Sequence, residues 1–225
     1  MSAANGNGPV PKPFIWGALS LALLLVIVAA ITFARHEGGG AAAGQAVSTA
    51  APGVLYKLPD FSLTNRDGST VSKADLAGKP WIADFIFTRC RQQCPLLTTQ
   101  LKALGPELPP GVRRVSFSVD PGYDSPRVLS HYAQAHGIKD DTWLFLTGKR
   151  DLVLGLIEKG FKLPVEQQTA TSRPSNQPPI VHTTRFVLVD SNGDIRGYYD
   201  GLTPDGRSHL LRDLRSLVAA HKPST

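Results

Sequence analysis

The sequence predicts an α/β fold: a central mixed sheet flanked by helices, preceded by an N-terminal transmembrane helix. Two patterns predict the domain. Between Trp81 and Lys159, apolar strand-length runs alternate with amphipathic helix-length runs, the pattern of parallel strands joined by helices. After Thr183 the chain reads as a hairpin and a last helix, which adds antiparallel strands to the sheet. A third pattern predicts the anchor: Phe14 to Phe33 carries no charge, and about 20 apolar residues at about 1.5 Å each span a bilayer core.

The anchor sets the expected organisation. Residues 1–13 form a short cytoplasmic tail, 14–33 a single membrane pass, 34–55 a flexible linker and 56–222 the domain. Trp16 stands near one end of the span, where aromatic rings favour the interface. Lys12 precedes the span and Arg35 and His36 follow it, so flanking charge orients it poorly. A cleaved signal peptide is the alternative, with Ala41 to Ala43 as a small-residue cleavage site, but the apolar run exceeds the usual signal core. Glu37 to Pro52, rich in Gly and Ala, reads as a tether. Either way the domain is exported, and the expected location is a bacterial-type inner membrane with the domain on the periplasmic side.

Composition narrows the function classes. The chain is 42% hydrophobic and 19% charged, with a formal charge of +6. That excludes a mainly disordered chain. The basic residues form no run and are not interleaved with aromatics, so no nucleic-acid partner is expected.

The domain elements follow in order. Asp60 to Thr64 and Ser69 to Val71 read as a hairpin turning at Asp67-Gly68. Trp81 to Phe87 is an apolar run broken only by Asp84, suited to a buried central strand. Leu96 to Leu104 is a helix, with Pro95 tolerated in its first turn. Val112 to Val119 is β-branched and reads as a parallel strand. Ser125 is a helix N-cap, with Pro126 at the first helical position and a stop at Gly137. Trp143 to Leu146 is a short strand. Lys149 to Lys159 is a helix expected to turn Leu152, Leu156 and Ile157 inward. Pro164 to Val181 is a long proline-rich loop, a kind that often serves function. It leads to His182 and the strand Thr183 to Val189. Ser191-Asn-Gly-Asp194 turns the chain into Ile195 to Tyr199. Asp205 to His221 is the last helix, with Leu210, Leu211, Leu214 and Leu217 on one face. This order describes a thioredoxin-like domain.

The chemistry concentrates between that first long strand and its helix. Cys90 and Cys94 are the only cysteines. Four positions make one helical turn, so both thiols face one side if the helix begins near Arg91. Cα atoms are then about 6 Å apart, within disulfide range. The pair can equally clamp one soft metal ion. Arg89 and Arg91, with the helix N-terminus, are expected to favour a thiolate at Cys90. Asp120 and Asp124 read first as turn and cap residues. The other histidines, His36, His131, His136, His209 and His221, read as surface or packing residues.

Four features together resemble the Sco/SenC family of membrane-anchored copper proteins. Thr88-Arg-Cys90-Arg-Gln-Gln-Cys94-Pro95 is similar to the family's Thr-x-Cys-x-x-x-Cys-Pro. Val119-Asp-Pro-Gly-Tyr-Asp-Ser-Pro126 is similar to its Val-Asp-Pro-x-x-Asp-Thr-Pro. His182 stands just before a strand ending in Val189-Asp190 with Gly193 beyond, and the N-terminal span agrees. The resemblance implies that Cys90, Cys94 and His182 bind one copper, as Cu(I) or Cu(II). It implies a chaperone that assists assembly of the copper centre of cytochrome c oxidase. The implied partner is a copper-accepting oxidase subunit or another periplasmic copper protein. Thiolate suits Cu(I), and imidazole suits copper generally. The sequence departs from the family at Arg91-Gln92-Gln93, where Pro-Asp is usual, and at Val181, where Asp is usual. The alternative is a thiol–disulfide oxidoreductase with Cys90 and Cys94 as its redox pair. On the first reading the protein is a carrier and no enzyme.

Overall fold

The computed structural model describes residues 24–30, 32, 51–165 and 183–220, within two units, Met1–Ser48 and Thr49–Thr225. In the first unit, residues 24–30 and Thr32 are helical, and Thr32 Oγ1 donates to the Ala29 carbonyl at 2.9 Å. The rest of the expected anchor lies outside the described residues. Among the described residues, no helix is long and apolar enough to cross a membrane.

The second unit is built on an eight-stranded mixed sheet. Its strands are β1 (Tyr56–Lys57), β2 (Ser62–Asn65), β3 (Thr70–Ser72), β4 (Trp81–Ile86), β5 (Arg113–Ser118), β6 (Trp143–Thr147), β7 (Arg185–Val189) and β8 (Asp194–Asp200). The spatial order is β1-β8-β7-β4-β5-β6-β2-β3. β4, β5 and β6 run parallel, and the remaining pairs are antiparallel. The helices are α1 (Gln93–Leu104), α2 (Pro126–Ala135), α3 (Arg150–Gly155) and α4 (Pro204–Ala220).

β4 lies at the centre because every residue in it can be buried. All six positions, Trp81 to Ile86, are, as a strand covered on both faces requires. Ile82 and Ile86 point to the face covered by α1, α2 and α4, where they meet Leu97, Leu101, Leu129 and Leu214. Trp81, Ala83 and Phe85 point to the opposite face, with Phe117, Ile157 and Phe161. Each buried Ile, Leu or Phe among them contributes about 1.5–3 kcal/mol. Asp84 belongs by alternation to the α1 face, yet it is fully buried.

The hairpin forms as expected. Gly68 turns it at φ 86, the Asn65 N–H donates to the Ser69 carbonyl at 2.8 Å, and Leu63 pairs with Val71. The α2 cap also holds: Ser125 Oγ accepts from the Val128 N–H at 3.4 Å, and Gly137 takes φ 64 after the last turn. Leu210, Leu211, Leu214 and Leu217 are all buried on α4, and Tyr199 of β8 ties that helix down by donating to Asp213 Oδ2 at 2.8 Å.

Helix α3 corrects one expectation. It ends at Gly155 and widens into a π-helical turn over Leu156–Gly160. Leu152 is 59% exposed; the buried stripe is Val153, Leu156, Ile157 and Gly160. Leu156 and Ile157 point inward as expected; only Leu152 does not, because Val153, one residue or about 100° further round the helix, takes the inward place.

Candidate metal and thiol site

β4 delivers the chain to the carboxyl end of the parallel strands, where a tight turn leads to α1. The Cys90 N–H donates to the Phe87 carbonyl at 3.1 Å, closing that turn. The helix begins at Gln93 rather than near Arg91, so Cys90 precedes it. The two sulfurs still converge, because the turn folds Cys90 back over the first helical residues. The Cys94 N–H donates to Cys90 Sγ at 3.3 Å, and the Cys94 thiol is hydrogen-bonded to the same sulfur. Gln92, at the N-cap position, offers no side-chain cap. The Cys90 sulfur fills that role for an amide that would otherwise lack a helical partner.

The two cysteines are therefore unequal. Burial disfavours a Cys90 thiolate, but hydrogen bonds from the Cys94 and Gln92 amides, the Cys94 thiol and the Gln93 amide outweigh it and lower its pKa. Cys94 is 5% exposed, and burial drives its thiol well above the ordinary range. Both cysteines are free. A half-buried, acidified sulfur leading a buried partner is the arrangement of a reactive pair.

The arginines do not support the thiolate as expected. Arg89 turns away to Asp120, with Nε at 3.1 Å and Nη2 at 2.5 Å from Oδ2, and its guanidinium lies 4.4 Å from the Tyr123 ring centre. Its guanidinium is ion-paired with Asp120, and the groups that most lower the Cys90 pKa are amides and a thiol. Arg91 is exposed.

Two buried carboxylates that the sequence left as turn and strand residues lie near the site, and one of them, Asp124, holds the cysteine turn in place. Asp124 is fully buried and accepts from Thr88 Oγ1 at 2.5 Å, Ser118 Oγ at 2.6 Å and the Thr88 N–H at 3.2 Å. Burial raises its pKa against those hydrogen bonds, and Asp120 adds to the rise. Asp84 lies below: Ser116 Oγ donates to its Oδ1 at 2.5 Å, and Trp143 Nε1 donates to Ser116 Oγ at 2.9 Å. Its Oδ2 has no partner among the described residues. Burial pushes the Asp84 carboxyl up to about 7, and its charge in turn disfavours a Cys94 thiolate. The one polar residue in the Trp81 to Phe87 run was the available signal for this group.

His182 lies outside the described residues, as does most of the Pro164 to Val181 loop. Its neighbour Thr183 is described, and Thr183 Oγ1 accepts from the Arg185 N–H at 3.1 Å. β7 runs antiparallel to β4, with Ala83 opposite Val187. The strand that follows His182 therefore starts at the sheet end where β4 releases the cysteine turn. His136 is engaged elsewhere, its Nδ1 2.9 Å from the Tyr132 carbonyl.

Fold and site define a thioredoxin-like domain with an unequal thiol pair at a helix N-terminus. The family model described as SCO1/SenC matches residues 52–219. The chain belongs to that family. It is similar to the SCO1 protein homolog of Bacillus subtilis (strain 168), 33% identical over 165 residues that cover 72% of this chain and 82% of that protein. Among solved structures it is similar to BsSco, a member of the Sco family of cytochrome c oxidase assembly proteins in which a disulfide switch was identified. That match is 32% identical with a TM-score of 0.64, over 78% of this chain and 99% of the other. Yeast Sco1, solved with copper bound, shares the fold at 23% identity and a TM-score of 0.56, over 76% of this chain and 92% of that one.

Proposed function

We propose that this protein is a membrane-tethered copper chaperone that assists assembly of the copper centre of cytochrome c oxidase. It takes one copper as cargo through Cys90, Cys94 and His182. The observation that carries this reading is the convergence of two sulfurs on one turn, one acidified and half-exposed, the other buried behind it. Two thiolates and an imidazole form a soft donor set that fits copper. β7, which follows His182 after Thr183 and Thr184, starts at the same end of the sheet, which supports the histidine as third ligand. Family membership supports the assembly role. The chain is read as a short cytoplasmic tail, an anchor over 14–33, a linker to 55 and a periplasmic domain from 56 to 222. Copper passes by ligand exchange, as thiolates of an oxidase subunit or another copper protein displace the donors one at a time.

The inequality of the thiols favours a second reading, a thiol–disulfide oxidoreductase. There the Cys90 thiolate attacks a partner disulfide and releases one partner thiolate. Cys94, losing its proton, then attacks Cys90 Sγ and releases the second, leaving Cys90–Cys94 oxidised and the partner reduced. The variant His182→Ala separates the readings. A chaperone loses copper(II) binding and oxidase assembly in cells yet keeps disulfide exchange, because imidazole supplies neither thiolate nor leaving sulfur. Full oxidase assembly with His182→Ala, together with failure of Cys90→Ser, would establish the oxidoreductase instead.

A further inference from the structure

The two helices beside Cys90 carry one sign of charge. The cysteine turn, α1 and α2, residues 87–104 and 126–135, hold Arg89, Arg91, Lys102 and Arg127 without a single Asp or Glu. The two helices lie side by side: Thr98 Oγ1 is 2.8 Å from Tyr132 OH, and Lys102 Nζ donates to the His136 carbonyl at 2.7 Å. The only acids in the loop between β5 and α2, Asp120 and Asp124, are 5% and 0% exposed and are turned inward to Arg89, Thr88 and Ser118. Arg91 and Arg127 are exposed and form no ion pair among the described residues. Beside them two apolar side chains face solvent: Leu96, 55% exposed in the first turn of α1, and Tyr123, 49% exposed and stacked on Arg89.

We propose that this surface is a docking site for an acidic protein segment, with Arg91 and Arg127 steering it and Tyr123 and Leu96 as its apolar contacts. The inference rests on Cys90 being the sulfur that meets the partner. Charge complementarity selects the occupant. The face buries its own carboxylates and exposes its cations, so a basic partner is repelled and an acidic one is attracted at long range. A rigid, stacked tyrosine is a low-entropy anchor at an interface. This gives Arg91 a role in place of the thiol activation that the sequence suggested.

The test uses full-length protein with both cysteines alkylated and no copper, so that association is measured apart from chemistry. The probes are two fluorescent synthetic peptides with the same alkylated Cys-x-x-x-Cys core and one tryptophan, flanked by four Glu in one and four Lys in the other. Anisotropy at about 0.01 M and about 0.15 M salt spans Debye lengths from about 30 to about 8 Å. The Glu peptide is expected to bind about tenfold or more tightly than the Lys peptide at low salt, with the difference shrinking at the higher salt. Arg91→Glu with Arg127→Glu should abolish that preference, and Tyr123→Ala should weaken the Glu peptide without changing its salt dependence. Lys57→Glu with Lys159→Glu makes the same change in net charge away from this face and should leave the preference intact. Equal loss from that remote pair, or an unchanged preference in the Arg91/Arg127 variant, would overturn the docking site. Copper stoichiometry, measured separately on the unalkylated variants, tells the two readings apart. Normal copper with no charge preference removes only the docking site; retained preference with no copper bound removes only the chaperone.

Discussion

The sharpest local consequence concerns the inequality of the two sulfurs. Cys90 is expected to alkylate at lower pH and faster than Cys94, read by mass spectrometry after a pulse of iodoacetamide across a pH series. Arg89→Gln should leave the Cys90 profile in place, because Asp120 already holds that guanidinium; a marked rise would restore the arginine to the thiol's environment. Asp84 gives a second expectation, on stability. Its native carboxyl is raised to about 7 while an unfolded aspartate titrates near the model value of 3.8. Between those values the native state keeps a proton that the unfolded chain has lost. This group therefore lowers stability as pH climbs from about 4 to about 7 and costs no more beyond. Asp84→Asn removes that burden, so its melting temperature relative to wild type should be more favourable at about pH 8 than at about pH 5; a constant difference would contradict the burial account. These electrostatics were half legible in the sequence. The spacing of Cys90 and Cys94 announced the pair, but the partner of Arg89 and the Thr88 bonds to Asp124 depend on how a loop 31 to 36 residues away packs against the turn.

At the level of elements, hydrophobic pattern decided most of the outcome and phase decided the rest. The central strand, the Gly68 hairpin, the Ser125 cap and the leucine stripe of α4 could all be read, because each rests on local chemistry or simple periodicity. The start of α1 could not, because it depends on where the Phe87 carbonyl captures the Cys90 amide. In α3 only Leu152 was misplaced, its inward position being taken by Val153, while Leu156 and Ile157 in the π-helical turn that follows are buried as expected. That correction makes a contrast that calorimetry or denaturant titration can check. Leu152→Gln, on the exposed side, should change stability by no more than about 0.5 kcal/mol. Leu97→Ala and Leu101→Ala, under α1, should each cost about 2–5 kcal/mol. Ser125→Ala should cost about 1 kcal/mol through the lost cap to Val128.

For the molecule as a whole, two expectations concern assembly. Full-length protein is expected in the membrane fraction with protease-accessible domain outside the cytoplasm; recovery of a mature chain starting near Gly44 in the soluble periplasmic fraction would instead mark a cleaved leader. Reduced protein reconstituted with Cu(I) should hold one copper by elemental analysis, and two tightly held ions would contradict a single Cys90–Cys94–His182 set. The sheet order adds a kinetic consequence. β4 is flanked on one side by β5 and on the other by β7, whose Val189 pairs with Trp81 across more than a hundred intervening residues. Closing such a separation delays folding. The segment that carries Cys90 thus waits, thiols uncovered, for a strand near the far end of the chain. In an oxidising compartment that wait is a window in which the sulfurs can be captured by the wrong partner. Refolding followed by millisecond alkylation pulses should find Cys94 labelled early and shielded only late, in step with β7, so that the burial of one sulfur times the completion of the fold.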